Sequence, residues 1–173
     1  MDIGVKIILV GILMYSAICM SKEITHNSII KNSIGDISVY LKKQKAKNTP
    51  SIFLHGLFFD LQLWNHKMDA INDRDVIAIE MPLHGSSPDI TTKNWNLGDC
   101  RKMICEILDS LQISKVHAVE HSRGSMTILR AAEKYPESFE SLTPFNLPFN
   151  SCKWRAQNTA GVTVKSLEII DNN

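Results

Sequence analysis

Three short apolar runs, Ser51 to Leu54, Val76 to Ile79 and Val116 to Val119, each break off at a turn and are separated by stretches of helical character. Runs this short and this apolar suit strands buried on both faces, and the helices between them are what parallel neighbours need as crossovers. The expectation is an α/β fold with a mostly parallel sheet covered by helices on both faces. Upstream, Ile34 to Leu41 alternates, with Ile37, Val39 and Leu41 on one side, as in a half-buried strand. Lys22 to Asn32 reads as a polar stretch and Lys42 to Pro50 as a polar turn.

The helical segments can be placed from their punctuation. A stretch around Trp64 to Ile71 is broken by Asn72-Asp73-Arg74-Asp75. Leu97, Arg101, Ile104, Leu108 and Leu111 recur at helical spacing behind Trp95 and Asn96, either of which stands where a cap belongs. Met126 to Tyr135 is a third helix, stopped by Pro136. From Ser141 onward the prolines of Thr143 to Pro148 argue against a central strand, while Val162 to Ile170 is apolar enough for one more strand or a short helix.

The N-terminus differs in kind. Lys6 precedes a nearly unbroken apolar run from Ile7 to Ala17, too short to span a bilayer comfortably, and Ala17-Ile18-Cys19 has a small-x-small form. Residues 1–21 therefore read as a signal peptide, giving a secreted or periplasmic protein, or alternatively as an N-terminal membrane anchor. With 44% hydrophobic and 21% charged residues the remainder suits one folded domain. A net charge of +1 with the two signs interspersed gives no footprint for nucleic acid. Cys19, Cys100, Cys105 and Cys152 form neither a disulfide framework nor a zinc-like set of short spacings, and no metal or other cofactor is expected.

Three segments fall at the carboxyl ends of the expected parallel strands, where ligands bind in open α/β sheets. They are Leu54-His55-Gly56-Leu57-Phe58, Glu80 to Ser87, and Glu120-His121-Ser122-Arg123-Gly124-Ser125. A serine between a buried strand and a helix sits in a sharp turn with its hydroxyl exposed, and small residues two positions away let the two backbones pass closely. Gly124 satisfies this; Glu120 does not, and has to point away or widen the bend.

Here the chain resembles the α/β-hydrolase family, whose elbow reads Gly-x-Ser-x-Gly. Leu54-His55-Gly56 is similar to the family's oxyanion loop, Trp64 stands where the next helix often begins, and Glu80-x-Pro82-x-His84-Gly85-x-Ser87 is similar to its Asp-x-Pro-Gly-His-Gly-x-Ser loop. The resemblance covers residues 34–149, leaving 150–173 as a tail of uncertain structure. It implies Ser122 as nucleophile and the backbone N–H groups of Leu57 and Arg123 as oxyanion donors, with Gly56, Gly85 and Gly124 shaping the loops. A serine nucleophile implies acyl transfer on a small carbonyl compound, an ester, thioester or amide.

The family orders its triad Ser, then Asp or Glu, then His, yet His26, His55, His66, His84, His117 and His121 all precede Ser122. The base is therefore unassigned. Beside Ser122, His121 reads as a packing residue, whereas His55 and His84 lie on loops at the correct end of the sheet. The acid is unassigned too, with Asp171 as the one downstream candidate. The expectation is a partial α/β-hydrolase fold lacking its later strands, with an open sheet edge that a partner chain would cover. Two functions follow, a serine hydrolase with an unexpected base or a non-catalytic hydrolase-fold module. An unrelated doubly wound α/β domain is the plain alternative.

Overall fold

The computed structural model describes residues 24–45, 47–87, 95–147 and 162–164. Residues 1–21, read above as a signal peptide or anchor, together with Cys152, Asp171 and nearly all of the tail, lie outside these. Seven strands form one sheet in the order β1-β2-β4-β3-β5-β6-β7. They are β1 (Ile24–Asn32), β2 (Gly35–Lys43), β3 (Asn48–Leu54), β4 (Arg74–Ile79), β5 (Val116–His121), β6 (Phe139–Phe145) and β7 (Thr163–Val164). The β1-β2 hairpin is antiparallel and joins β4 antiparallel, whereas β4, β3, β5, β6 and β7 run parallel.

Among the described residues three helices connect the parallel strands: α1 (Asn65–Ala70), entered through a 3-10 turn at Leu61–Trp64, α2 (Leu97–Ser110) and α3 (Arg123–Lys134). Asn96 caps α2, its side chain accepting from the Gly98 and Asp99 amides while the Asp99 carboxylate accepts from the Asn96 amide. This reciprocal arrangement satisfies donors that a helix start otherwise leaves unpaired. The apolar stripe of α2, with Met103, Ile104, Ile107 and Leu108, packs with Ile128 and Ala131 of α3 on Ile52, Leu54, Ile77, Ile79, Val116 and Ala118. On the opposite face Trp64 and Met68 pack on Phe53, Val76 and Ala78. Adjacent residues of β3 and β4 thus serve different layers, which is why those strands are apolar throughout.

Several expectations need correcting. The polar stretch before Asn32 is strand β1, and it looked structureless because it is an outer strand that pairs with β2 alone. β2 is buried on both faces, not half-buried: Ile37, Val39 and Leu41 face one layer, and Ser38 and Lys42 are buried toward the other. Lys42 and Lys43 close β2, and Asn48 to Pro50 open β3, so the polar turn is confined to the few residues between them. β6 contains Pro144 although a central position had been argued against. β7 pairs with β6 at Ser141 and Leu142, so Pro144 lies beyond the rungs that β7 makes and no N–H is missed there. α3 begins at Arg123, three residues before the helical spacing becomes apolar.

β3 is flanked by β4 on one side and β5 on the other, so the chain leaves β3 in one direction and returns past it in the other. Such a reversal opens a crevice outside the carboxyl ends of the two diverging strands. The loops after β3, β4 and β5 all meet there.

Candidate active site

Ser122 occupies the bend between β5 and α3 with φ 51° and ψ −112°, a sparsely populated conformation for a residue with a side chain. Its surroundings over-determine it. The Ser122 amide donates to Phe145 O at 2.9 Å, and Met126 N donates back to Ser122 O at 3.2 Å. The Ser125 hydroxyl donates to Glu120 O at 3.0 Å, closing the bend from the helix side. A Cβ on Gly124 would meet the carbonyl oxygens of Leu54 at 2.5 Å and His55 at 2.7 Å, so the first turn of α3 lies directly on the end of β3. Glycine at 124 is required by close approach, as the sequence suggested.

The loop after β3 faces this bend. A Cβ on Gly56 would stand 2.7 Å from His121 Nδ1 and 3.1 Å from Ser122 Cβ, which places Gly56 against the serine. Leu57 follows it, and Phe59 N donates to Gly56 O at 3.3 Å to turn the loop back. Phe58, with φ 66°, is 90% exposed, and Leu57 and Phe59 are also exposed. Phe59 meets the His121 ring edge-on, with centroids 5.3 Å apart. Arg123, as the first residue of α3, has an amide with no carbonyl one turn back in the helix to receive it. The structure therefore gathers Gly56, Leu57, Ser122, Arg123 and Gly124 at one end of the sheet.

The third loop is built around His55, which is fully buried. Its Nε2 accepts the Met81 amide at 2.9 Å, so the ring proton resides on Nδ1, which donates to Gly56 O at 2.8 Å. Glu80 Oε2 lies 3.1 Å from the same Nε2, and Oε1 accepts from Leu61 N at 3.3 Å. Gly85 has φ 50°, and any side chain there would overlap the Glu80 carboxylate. Ser87 Oγ donates to Glu80 O at 3.3 Å and accepts from Ser38 N at 3.0 Å, tying the loop to β2. His84 Nδ1 contacts Pro82 O at 2.9 Å within its own loop.

Both loop histidines are thus engaged in holding loops. His66 is exposed on α1, and His117, in the body of β5, contacts Ser141 Oγ at 2.8 Å. His121 is half-buried, burial lowers its pKa, and its Nδ1 has no hydrogen-bond partner.

Glu120 is buried at the end of β5. Its side chain turns into the protein with those of Val116 and Ala118 and is 0% exposed. Neither carboxyl oxygen has a hydrogen bond of good geometry. Burial pushes its pKa up to about 8, tempered by the nearby Thr143 amide, so the group is largely neutral at pH 7. A neutral acid at this position removes the repulsion that a carboxylate would exert on an oxyanion nearby.

Residues 50–150 match the family model described as the alpha/beta hydrolase fold. The chain belongs to that family. It is 25% identical over 113 residues to the esterase YbfF of Escherichia coli, covering 65% of this chain and 44% of that protein. To the sn-1-specific diacylglycerol lipase ABHD11 of Xenopus tropicalis it is 28% identical over 128 residues, covering 71% of this chain and 39% of that protein. Among solved structures, the N-acyl homoserine lactonase AidH superposes with a TM-score of 0.65 at 19% identity, over 72% of this chain and 46% of that one. The chain spans less than half the length of these relatives.

Family membership makes the departures specific. The α/β-hydrolase elbow is kept at His121-Ser122-Arg123-Gly124 and changed at Glu120, and the second loop carries Glu80 where Asp is usual. Sequence reasoning did not find the Glu80 contact with His55 or the packing of Arg123 on Trp95, whose guanidinium carbon lies 4.8 Å from the ring centroid. Both join residues more than twenty positions apart, and no local pattern announces such pairs.

Proposed function

We propose that this α/β-hydrolase chain carries the nucleophile half of a serine esterase or acyl-hydrolase site, with Ser122 as nucleophile and the amides of Leu57 and Arg123 as oxyanion donors. The observation that carries the reading is the strained bend at Ser122 pressed against Gly56. Strain of this kind persists where surrounding structure holds it, and it is characteristic of catalytic turns. The esterase and lipase names of the relatives favour the same reaction class. The substrate is a small carbonyl compound whose tetrahedral intermediate would sit between the serine and the two amides.

Ser122 lacks an assigned base. His55 spends both ring nitrogens inside the loops, which disfavours it as proton acceptor. The proposal is therefore that the described part of the chain supplies nucleophile and oxyanion hole without a complete triad. A second reading, a non-catalytic binding module, is favoured by the same histidine geometry. Prolonged incubation with an alkyl fluorophosphonate, followed by peptide mass spectrometry, tests the first reading. The expected result is one adduct, on the peptide containing Ser122, absent in Ser122→Ala. A folded sample with no adduct there defeats the nucleophile assignment and leaves the binding module.

A further inference from the structure

Arg123 is the residue beside Ser122, and the proposed chemistry draws on its amide alone, leaving its side chain without a role. It stands at the first position of α3, where the helix dipole disfavours a cation. Trp95 offsets part of that cost by stacking on the guanidinium at 4.8 Å. Trp95 in turn immediately precedes the Asn96 cap of α2, so the positive ends of two helices and a fixed cation converge in one place. The charge is felt on the first turn of α2, where it opposes the burial that raises the Cys100 thiol.

Among the described residues no carboxylate forms an ion pair with Arg123. Asp99, the acid in the first turn of α2, is committed to the Asn96 amide at 2.8 Å. Arg123 Nε is enclosed and has no acceptor, while the residue as a whole keeps partial exposure. An enclosed donor on a charged group is costly to leave unpaired, and a guanidinium fork matches the two oxygens of a carboxylate or phosphate.

The opposite side of the bend is chemically different. Phe59 packs on His121, Leu57 and Phe58 are exposed beside it, and Leu83 of the next loop is exposed as well. Ser122 is therefore followed in the chain by a guanidinium with no ion-pair partner among the described residues, and an exposed apolar loop lies against its His121 neighbour.

We infer that the Arg123 side chain, held by Trp95 beside Ser122, is the anion-recognising group of this site, so that the preferred ligand joins an apolar chain to a carboxylate or phosphate. This rests on the proposed function for the identity of the reacting centre, but the binding preference itself does not need a reactive serine.

Calorimetric titration of the full chain with dodecanoate and with methyl dodecanoate, both below their aggregation concentrations, tests it. Dodecanoate should bind at least about tenfold more tightly, the worth of one charge-assisted hydrogen bond. Arg123→Gln should erase the difference while Arg123→Lys restores part of it, with circular dichroism confirming that both variants fold. Dodecyl phosphate, run in parallel, should share the preference and its dependence on Arg123. Equal affinity for the two dodecanoyl ligands, or a preference that survives in Arg123→Gln, overturns the inference. Ser122→Ala should bind as the native chain does. A preference seen without fluorophosphonate labelling of Ser122 therefore keeps the anion site and discards the hydrolase reading, and labelling without a preference does the reverse.

Discussion

The Nε2 atom of His55 accepts the backbone N–H of Met81 at 2.9 Å, joining the loop after β3 to the loop after β4 inside the protein. With Nδ1 donating to Gly56 O, the ring bridges the backbones of the two loops. His55→Ala strands a buried N–H and removes a packed ring, a loss on the order of 3 kcal/mol. Urea unfolding should show the midpoint falling with an unchanged slope. If stability is unaltered and Ser122 labelling alone disappears, His55 is the base and the scaffold role is wrong.

Gly124 marks the closest passage of α3 over β3. An alanine methyl at 124 would press on the carbonyls of Leu54 and His55, and backbone cannot yield as a side-chain tip can. Gly124→Ala should cost about 1–3 kcal/mol, the range for overpacking. It should also lower the rate of fluorophosphonate labelling, because lifting the helix start moves Ser122 away from the loop at Gly56. Labelling at the native rate in a folded Gly124→Ala protein would show that the bend tolerates the extra carbon.

Lys42 is 1% exposed, and its ammonium donates to the carbonyls of Met68 at 3.2 Å, Asp69 at 3.4 Å and Ile71 at 3.0 Å. These are carbonyls at the carboxyl end of α1, where the helix dipole favours a cation. Lys42→Met keeps the length and loses the bonds, so it should destabilise by about 2 kcal/mol. Hydrogen exchange should quicken at the end of α1 and stay slow in β5. Unchanged stability would mean that solvent replaces the ammonium without penalty.

Lys42 also shows where sequence reading stops. The parallel strands β3, β4 and β5 were legible because each must be apolar on both faces, whereas the prolines of Thr143 to Pro148 hid β6, and the three loops were legible because Gly56, Gly85 and Gly124 punctuate them. The start of α2 was legible to within Trp95 or Asn96, and the structure makes Asn96 the cap. By contrast, a lysine at the end of an alternating strand reads as solvent-facing, and nothing nearby announces that the end of α1 lies over it. Strand β1 was hidden for the opposite reason, since pairing with one neighbour demands little apolar surface. The part of the site that depends on chain topology, Glu80 on His55 and Arg123 on Trp95, could not be read from spacing at all.

Glu120 gives a pH dependence with a definite sign. In the unfolded chain its carboxyl titrates near the ordinary value of 4.5, and in the folded protein burial raises it to about 8. Between these values the folded state holds a proton that the unfolded state has released, so stability is full below about pH 4.5, declines as pH rises, and levels off above about pH 8. The slope from this one group approaches about 1.4 kcal/mol per pH unit in the middle of the window. Glu120→Gln keeps the shape without the proton and should remove that decline, leaving the variant more stable than the native chain at pH 8 and close to it at pH 5. Urea midpoints measured at intervals from pH 5 to 8.5 on both proteins decide the matter. Parallel curves would mean that Glu120 is ionised in the fold and that an unseen group compensates its charge.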